Sequence, residues 1–236
     1  LEQQGGQGLF TAEVERAILD GEADLAIHSA KDLPACTHPQ TEIAGYLPRE
    51  DVRDVLVVQE GGEQLHEIAT SSPRRQAQGQ RLYPSANWTN IRGNVHTRIR
   101  KVASGEVQAT FLAQAGLNRL SIAKHQGVDF KPIDITQMVP AGGQGAIAVQ
   151  TRVGESHAYT PYLCSQTHQA VSIEKKLLQL LGVGCHTAIG VHYRDEFLYI
   201  FDERLPKVLK LPFTPASDDR IETSLKEIIR EYNLSE

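Results

Sequence analysis

No apolar run in the chain approaches the roughly 18 residues that a membrane-spanning helix needs, so no spanning helix and no membrane partner are expected. The opening, Leu1-Glu2-Gln3-Gln4-Gly5, has neither a basic region nor an apolar stretch and is not read as a secretory signal. It also lacks a methionine, and the expectation is a chain that begins partway through a longer protein. Basic charge is not in excess: 24 Lys and Arg stand against 29 Asp and Glu, a net charge of −5, which argues against nucleic acid as the main partner. Any anion-binding site must then be a local cluster acting against the global charge. Cysteine is scarce. Cys36, Cys164 and Cys185 are odd in number and widely spaced, which excludes a disulfide framework and fits a reducing, cytoplasmic setting. Cys36-Thr37-His38, Cys164-x3-His168 and Cys185-His186 lack the paired spacing of a zinc site, so no metal is expected. The Gly-rich stretches 5–8 and 142–145 fit neither a phosphate-binding loop nor a dinucleotide turn, and tight turns or hinges suit them better.

What remains is a 236-residue chain, 40% hydrophobic and 22% charged, long enough for a sizeable core in one large or two to three small domains. Phe10, Val14, Ala17 and Ile18 fall on one helical face that Gly21 can end. Leu25–Ile27 has the look of a short buried strand and leads into a polar turn, His28-Ser29-Ala30-Lys31-Asp32, closed by Leu33-Pro34. The charge run 49–54 reads first as a solvated face before a strand at Val55–Val58.

Three strand–turn–helix units follow. Ile68-Ala69 leads to Thr70-Ser71-Ser72 and a helix from Pro73 to Leu82; Trp88–Ile91 leads to Arg92-Gly93-Asn94 and a helix carrying Val95, Ile99 and Val102; Ala109–Ala113 leads to Gln114-Ala115-Gly116 and a short helix. The repetition predicts an α/β layer with a largely parallel sheet whose three turns open on one edge. Residues 139–145 read as a flexible linker into a strand at Ala146–Gln150. A helix around Val171–Leu181, strands at Ala188–Tyr193, Phe197–Phe201 and Val208–Leu211, and a helix at Arg220–Tyr232 read as a small α+β domain with an antiparallel sheet.

Chemistry concentrates at these turns. Arg74, Arg75, Arg92, Arg98 and Arg119 lie at or just after strand ends, and guanidinium forks grip carboxylates or phosphates through paired hydrogen bonds. Together they suit a ligand with several carboxylates or a polyphosphate; taken singly, each is also an ordinary surface charge. Lys31-Asp32 is either a surface ion pair or a carboxylate whose acidity its neighbours tune. Cys185, flanked by Gly184 and close behind Gly182, is either an inert small side chain or an approachable thiol nucleophile.

The order of these segments resembles one family. Ala26-Ile27-His28-Ser29-Ala30-Lys31-Asp32-Leu33-Pro34, Arg49-Glu50-Asp51-Val52-Arg53-Asp54, Thr70-Ser71-Ser72-Pro73-Arg74-Arg75, Arg92-Gly93-Asn94-Val95, Ala115-Gly116-Leu117-Asn118-Arg119-Leu120, Gly143-Gln144-Gly145-Ala146 and Gly184-Cys185 occur in the order found in porphobilinogen deaminases (hydroxymethylbilane synthases). The resemblance implies a transferase of tetrapyrrole (haem) biosynthesis, a cytoplasmic monomer that condenses four porphobilinogens and releases four ammonias on a dipyrromethane cofactor. The implied fold is α/β, with two periplasmic-binding-protein-like domains, 1–50 with 140–163 and 51–139, and a small α+β domain at 164–236. The implied catalytic residue is Asp32. Cys185 would hold the cofactor through a thioether, with Ser29, Lys31, Ser72, Arg74, Arg75, Arg92, Gly93 and Arg98 around it. Arg119, Phe10 and Gln144 would meet the substrate.

The chain departs from the family in three places. It has no A-S/T-R-x-S-x-L-A segment, so the first domain is expected to be N-terminally incomplete, without its leading strand. Gln7 stands where the family has lysine in G-G-K-G-L-F, and the cofactor loop reads Gly182-Val183-Gly184-Cys185-His186-Thr187-Ala188 in place of E-G-G-C-x-x-P. A non-catalytic binder of polycarboxylates or oligopyrroles, or a decayed homologue, is the alternative these departures raise.

Overall fold

A computed structural model of the chain describes residues 7–34, 37–62, 64–182, 187–214 and 218–234. They form two compact units, Leu1–Glu50 with Gly142–Cys185, and Asp51–Ala141 with His186–Glu236. In chain order the first unit begins with α1 (Gln7–Leu19), β1 (Ala26–Ser29) and β2 (Thr41–Tyr46). The second follows with β3 (Asp54–Gln59), β4 (Glu67–Ala69), α2 (Pro73–Leu82), β5 (Asn87–Thr89), α3 (Val95–Ala103), β6 (Ala109–Ala113), α4 (Gln114–Arg119) and β7 (Val128–Pro132). The chain returns to the first unit for β8 (Ile147–Arg152) and α5 (Ser165–Leu180), then to the second for β9 (Ile189–Arg194), β10 (Phe197–Asp202), β11 (Leu209–Pro212) and α6 (Asp218–Glu231). The expected third domain, 164–236, is thus shared between the units, α5 in one and β9–β11 with α6 in the other.

The α/β class is observed. In the second unit five strands run in the order β5-β4-β6-β3-β7. The three expected strand–turn–helix units are mutually parallel, with β4 pairing β5 and β6 in parallel register, so their turns share one edge. The sheet is mixed, however, because β3 runs antiparallel to both β6 and β7. That reversal brings the first residue of β3, Asp54, opposite Ala113, to the edge where the turns open. Both faces of β3 are covered: Val55 and Val57 join one apolar cluster with Ile99, Val102 and Leu117, and Leu56 and Val58 join another with Ile68, Phe111 and Met138. Continuous burial of this kind is what a central strand of an α/β layer requires. The sheet β11-β10-β9 is antiparallel as expected. Tyr199 and Phe201 cluster with Val52 and Val139, and Arg81 lies over the Phe201 ring at 4.7 Å while donating to the carbonyls of Glu203 and Leu205.

In the first unit β8 is central, paired antiparallel to β1 on one side and β2 on the other. The strand expected at Leu25–Ile27 lies at Ala26–Ser29 and is not a buried one. Ile27 is 55% exposed, among the described residues β1 pairs with β8 alone, and His28 and Ser29 belong to the strand rather than to the turn. The expected flexible linker at 139–145 is instead fixed. Val139 is fully buried and its carbonyl accepts from Arg74 and Gln78. Gly143 donates to Glu174, and residues 142–146 are buried.

Candidate functional site

The second unit gathers its arginines at the edge just described. Ser72 caps α2, its hydroxyl accepting from the Arg75 amide, and Pro73 takes the first helical position, where a missing N–H costs nothing. Arg74 and Arg75 therefore sit in the first turn of α2, close to the start of β3. Arg74 Nη1 donates to Asp54 Oδ2 at 2.7 Å, and Arg75 donates to Asp54 Oδ1 through Nε at 3.0 Å and Nη2 at 2.8 Å. Arg74 Nη1 also donates to the Val139 carbonyl and Arg75 Nη1 to that of Phe111. Asp54 is fully buried and the two arginines nearly so. Burial alone would raise the Asp54 carboxyl; the charges of Arg74 and Arg75 and their hydrogen bonds more than offset it and hold it well below the usual carboxylate range.

Arg92, Gly93 and Arg98 surround the start of α3, which Asn94 caps by accepting from the Thr97 amide. Gly93 has φ of +119°, and a Cβ there would meet Thr97 Cγ2 at 2.6 Å, so glycine is required on both counts. Arg98 is half-buried and donates through Nε to the Gly93 carbonyl at 2.8 Å; among the described residues no carboxylate pairs with it. Burial, then the positive charge of Arg75, lowers its affinity for its proton. Arg92 is exposed, as is Arg119 in the last turn of α4. The edge thus holds two arginines that share the Asp54 carboxylate, and beside them a third cation for which the described residues supply no carboxylate.

The first unit presents Ser29 at the end of β1 and then a single 3-10 turn, Ala30–Asp32. Ala30 is fully buried, Lys31 half-buried and Asp32 exposed. Three hydrogen bonds fix this turn: Ala30 N–H to the Ala146 carbonyl, Leu33 N–H to the Ala30 carbonyl, and Lys175 Nζ to the Leu33 carbonyl at 2.8 Å. Behind it Gly143 has φ of +82°, and a Cβ there would lie 3.0 Å from the Ala30 carbonyl carbon. Gly143 is held in turn by Glu174, whose carboxylate receives both Nη atoms of Arg49 at 2.7 and 2.9 Å. Arg49 Nε donates to the Gln144 carbonyl, and Gln144 is almost fully buried. Burial, with the nearby Glu174 charge, pushes the Tyr46 hydroxyl up to about 12 in spite of Arg49. Two residues singled out in the sequence are not described: Cys185 lies outside the described residues, as does the side chain of Phe10 on α1. Among the described residues no three His, Cys, Asp or Glu side chains form a metal cluster, and no helix is long and apolar enough to cross a membrane.

Asp54 and the Arg49–Glu174 pair are residues that sequence reasoning does not single out. Both lie in or pair with the charge run 49–54, and the only available signal was the density of charge directly before a buried strand.

Comparison with known proteins covers most of the chain. Residues 1–160 match the family model described as porphobilinogen deaminase, dipyromethane cofactor binding domain. A porphobilinogen deaminase of Nitrobacter winogradskyi is 41% identical over 199 residues, covering 80% of this chain and 62% of the relative. One from Ruminiclostridium josui is 36% identical over 193 residues, covering 81% and 65%. The chain therefore spans less than two thirds of the length of these relatives. Among solved structures, the BenM effector binding domain with its effector benzoate is 13% identical at a TM-score of 0.42, covering 67% of this chain and 73% of that one. The Bordetella pertussis BvgS periplasmic VFT2 domain is 19% identical at 0.38, covering 63% of each.

Proposed function

The chain belongs to the porphobilinogen deaminase family, and from that premise we propose that it works as a hydroxymethylbilane synthase. The reaction condenses four porphobilinogens head-to-tail, releases four ammonias and uses a cysteine-linked dipyrromethane primer. The observation that carries this reading is Arg98, a half-buried cation whose hydrogen-bond partner is a backbone carbonyl and which lies beside a second cation. An arginine so placed gains most from an anionic ligand. Every pyrrole ring of the substrate bears two carboxylates, so a growing oligopyrrole calls for a set of such donors.

The donors fit the cofactor. Arg92, Arg98 and the Ser72 hydroxyl lie at or beside the strand-end turns of the second unit, and Arg74 keeps Nε and Nη2 beyond its bonds to Asp54 and Val139. Arg75 and Gly93 complete that group; Ser29 and Lys31, on the first unit, are proposed for the cofactor as well. Cys185 would hold the cofactor through a thioether, which a thiolate nucleophile is suited to form. When bound, the dipyrromethane supplies the covalent primer for chain growth. Asp32 is the exposed last residue of a turn whose backbone is tied to Ala146 and Lys175, as a carboxylate in a positioned role should be. Its charge would stabilise the substrate's electron-poor methylene carbon as ammonia departs, and its protonated form would give a proton to the amine. Arg119, Gln144 and Phe10 are proposed for the substrate, a three-domain arrangement for the chain, and a cytoplasmic monomer as its state. A polycarboxylate binder without chemistry would use the same arginines but needs neither Asp32 nor Cys185.

Intact-mass measurement of the chain from a porphobilinogen-producing host separates the two readings. The expected result is a mass increment equal to a dipyrromethane, lost in Cys185→Ser and kept in Asp32→Ala, with ammonia release in Asp32→Ala reduced by at least about 100-fold. An unmodified thiol, or near-normal release by Asp32→Ala, overturns the proposal.

A further inference from the structure

The turn that presents Asp32 hangs from β1, a four-residue strand that among the described residues pairs only with β8. A short strand paired on one side has little in its backbone to fix its register. On β1 the larger apolar side chain, Ile27, is more than half exposed, and only the small Ala26 is buried. The other face of the strand carries a polar chain instead. His28 Nε2 lies 2.9 Å from Gln150 Oε1 on β8. Gln150, fully buried, places Nε2 2.8 Å from Glu15 Oε1 on α1 and 2.8 Å from Thr41 Oγ1 on β2. The Thr41 hydroxyl is 3.0 Å from the His38 carbonyl.

Each link in this chain has one permitted direction. A carbonyl only accepts, so the Thr41 hydroxyl proton is committed to His38 and the Thr41 oxygen must accept from Gln150. A carboxylate only accepts, so Gln150 must also turn an amide proton toward Glu15. Both amide protons of Gln150 are then used, and its oxygen is what faces His28. The imidazole must therefore carry a proton on Nε2, whatever the state of Nδ1.

We infer that His28 is a positioning residue for the Asp32 turn, held as its Nε2–H form by the Glu15–Gln150 relay, so that contacts to α1, to β8 and, across β8, to β2 fix the register of β1. The anchoring stands on the geometry alone, whereas its catalytic consequence rests on the reading of Asp32 given above. His28 touches no reacting atom in this scheme; it acts through the strand.

Two measurements on the full chain test the inference. Long-range nitrogen–proton correlation of the 15N-labelled protein near pH 8 should show His28 protonated at Nε2 with Nδ1 bare; a ring protonated at Nδ1 with Nε2 bare overturns it. The second compares two amides, since the Gln side-chain nitrogen falls near the position of Nε2 and that of Asn near Nδ1. His28→Gln should keep ammonia release within about threefold of the parent, with slow amide exchange across β1 retained. His28→Asn should lower kcat at least about tenfold with KM nearly unchanged, speed exchange in β1, and still carry the Cys185 mass increment. Equal behaviour of the two variants, whether both active or both impaired, overturns the inference. Should the parent chain release no ammonia, the proposed function fails, while the tautomer and the exchange comparison still decide the role of His28.

Discussion

Asp54 accepts three guanidinium hydrogen bonds, at 2.7 to 3.0 Å, from two arginines adjacent in the chain. With all three side chains withdrawn from water, replacing the carboxylate removes the charge that the two buried cations share. Asp54→Asn should cost about 3–5 kcal/mol of unfolding free energy in urea titration, a range typical of a broken buried ion pair. A loss under about 1 kcal/mol would mean that the cluster relaxes into solvent. The same residue marks a limit of reading the sequence. Arg53 and Asp51 do form the surface pair expected of a charge run, with the Arg53 side chain 45% exposed. Arg49 and Asp54 in the same six residues are core ion-pair members. Nothing in the residue types separates them, because their partners, Glu174 and Arg74 with Arg75, are supplied by α5 and α2.

The helix starts were the most legible elements, since each announced itself by local chemistry. Ser72-Pro73 and Asn94 are caps whose hydrogen bonds the structure contains, and the strands Ala109–Ala113 and Val55–Val58 were visible as apolar runs. The direction of β3 and the edge position of β1 were not visible, because pairing partners are set by topology and not by composition. The tight turn expected at 142–145 is there, but the flexible linker expected over 139–145 is not, for a related reason: glycine signals freedom in isolation, but here it permits close approach. Gly143→Ala combines a left-handed backbone with a Cβ 3.0 Å from Ala30, whereas Gly154→Ala, at φ of +89°, meets nothing within 4 Å. Thermal unfolding should therefore place Gly143→Ala below Gly154→Ala by the equivalent of about 1 kcal/mol or more, the share due to contact rather than conformation. Equal losses would show that the Ala30–Asp32 turn yields freely to its neighbour.

For the molecule as a whole, the shifted carboxylates set the acid limit. Asp54, Asp51, Asp134, Asp202 and Glu42 are all held below their ordinary range, Asp51 and Asp202 by hydrogen bonds from Arg53 and Arg204, Asp134 by Thr136 and Glu42 by Ser156. For Asp202, burial works the other way and is outweighed by the Arg204 contacts. A lowered folded-state value means stability that is complete above the unfolded value, about 4, and is lost as pH falls through the folded values. Tm should accordingly be flat from pH 7 to about 5 and fall steeply below about 4; a flat profile to pH 3 would contradict the assignment. At the alkaline end Tyr46 acts with the opposite sign: its contribution is complete below about 10 and fades as pH rises toward 12. The central place of β8 has a consequence for how the protein is made. β1 and β2 do not pair with each other; each pairs with β8, which leaves the ribosome about 100 residues after β2. At about 5–20 residues per second both strands wait roughly 5–20 s with their edges unsatisfied, while β3–β7 between them can already form a complete sheet. Released chains truncated before Ile147 should therefore hold a folded β3–β7 sheet, while β1 and β2 lack the strand with which both pair.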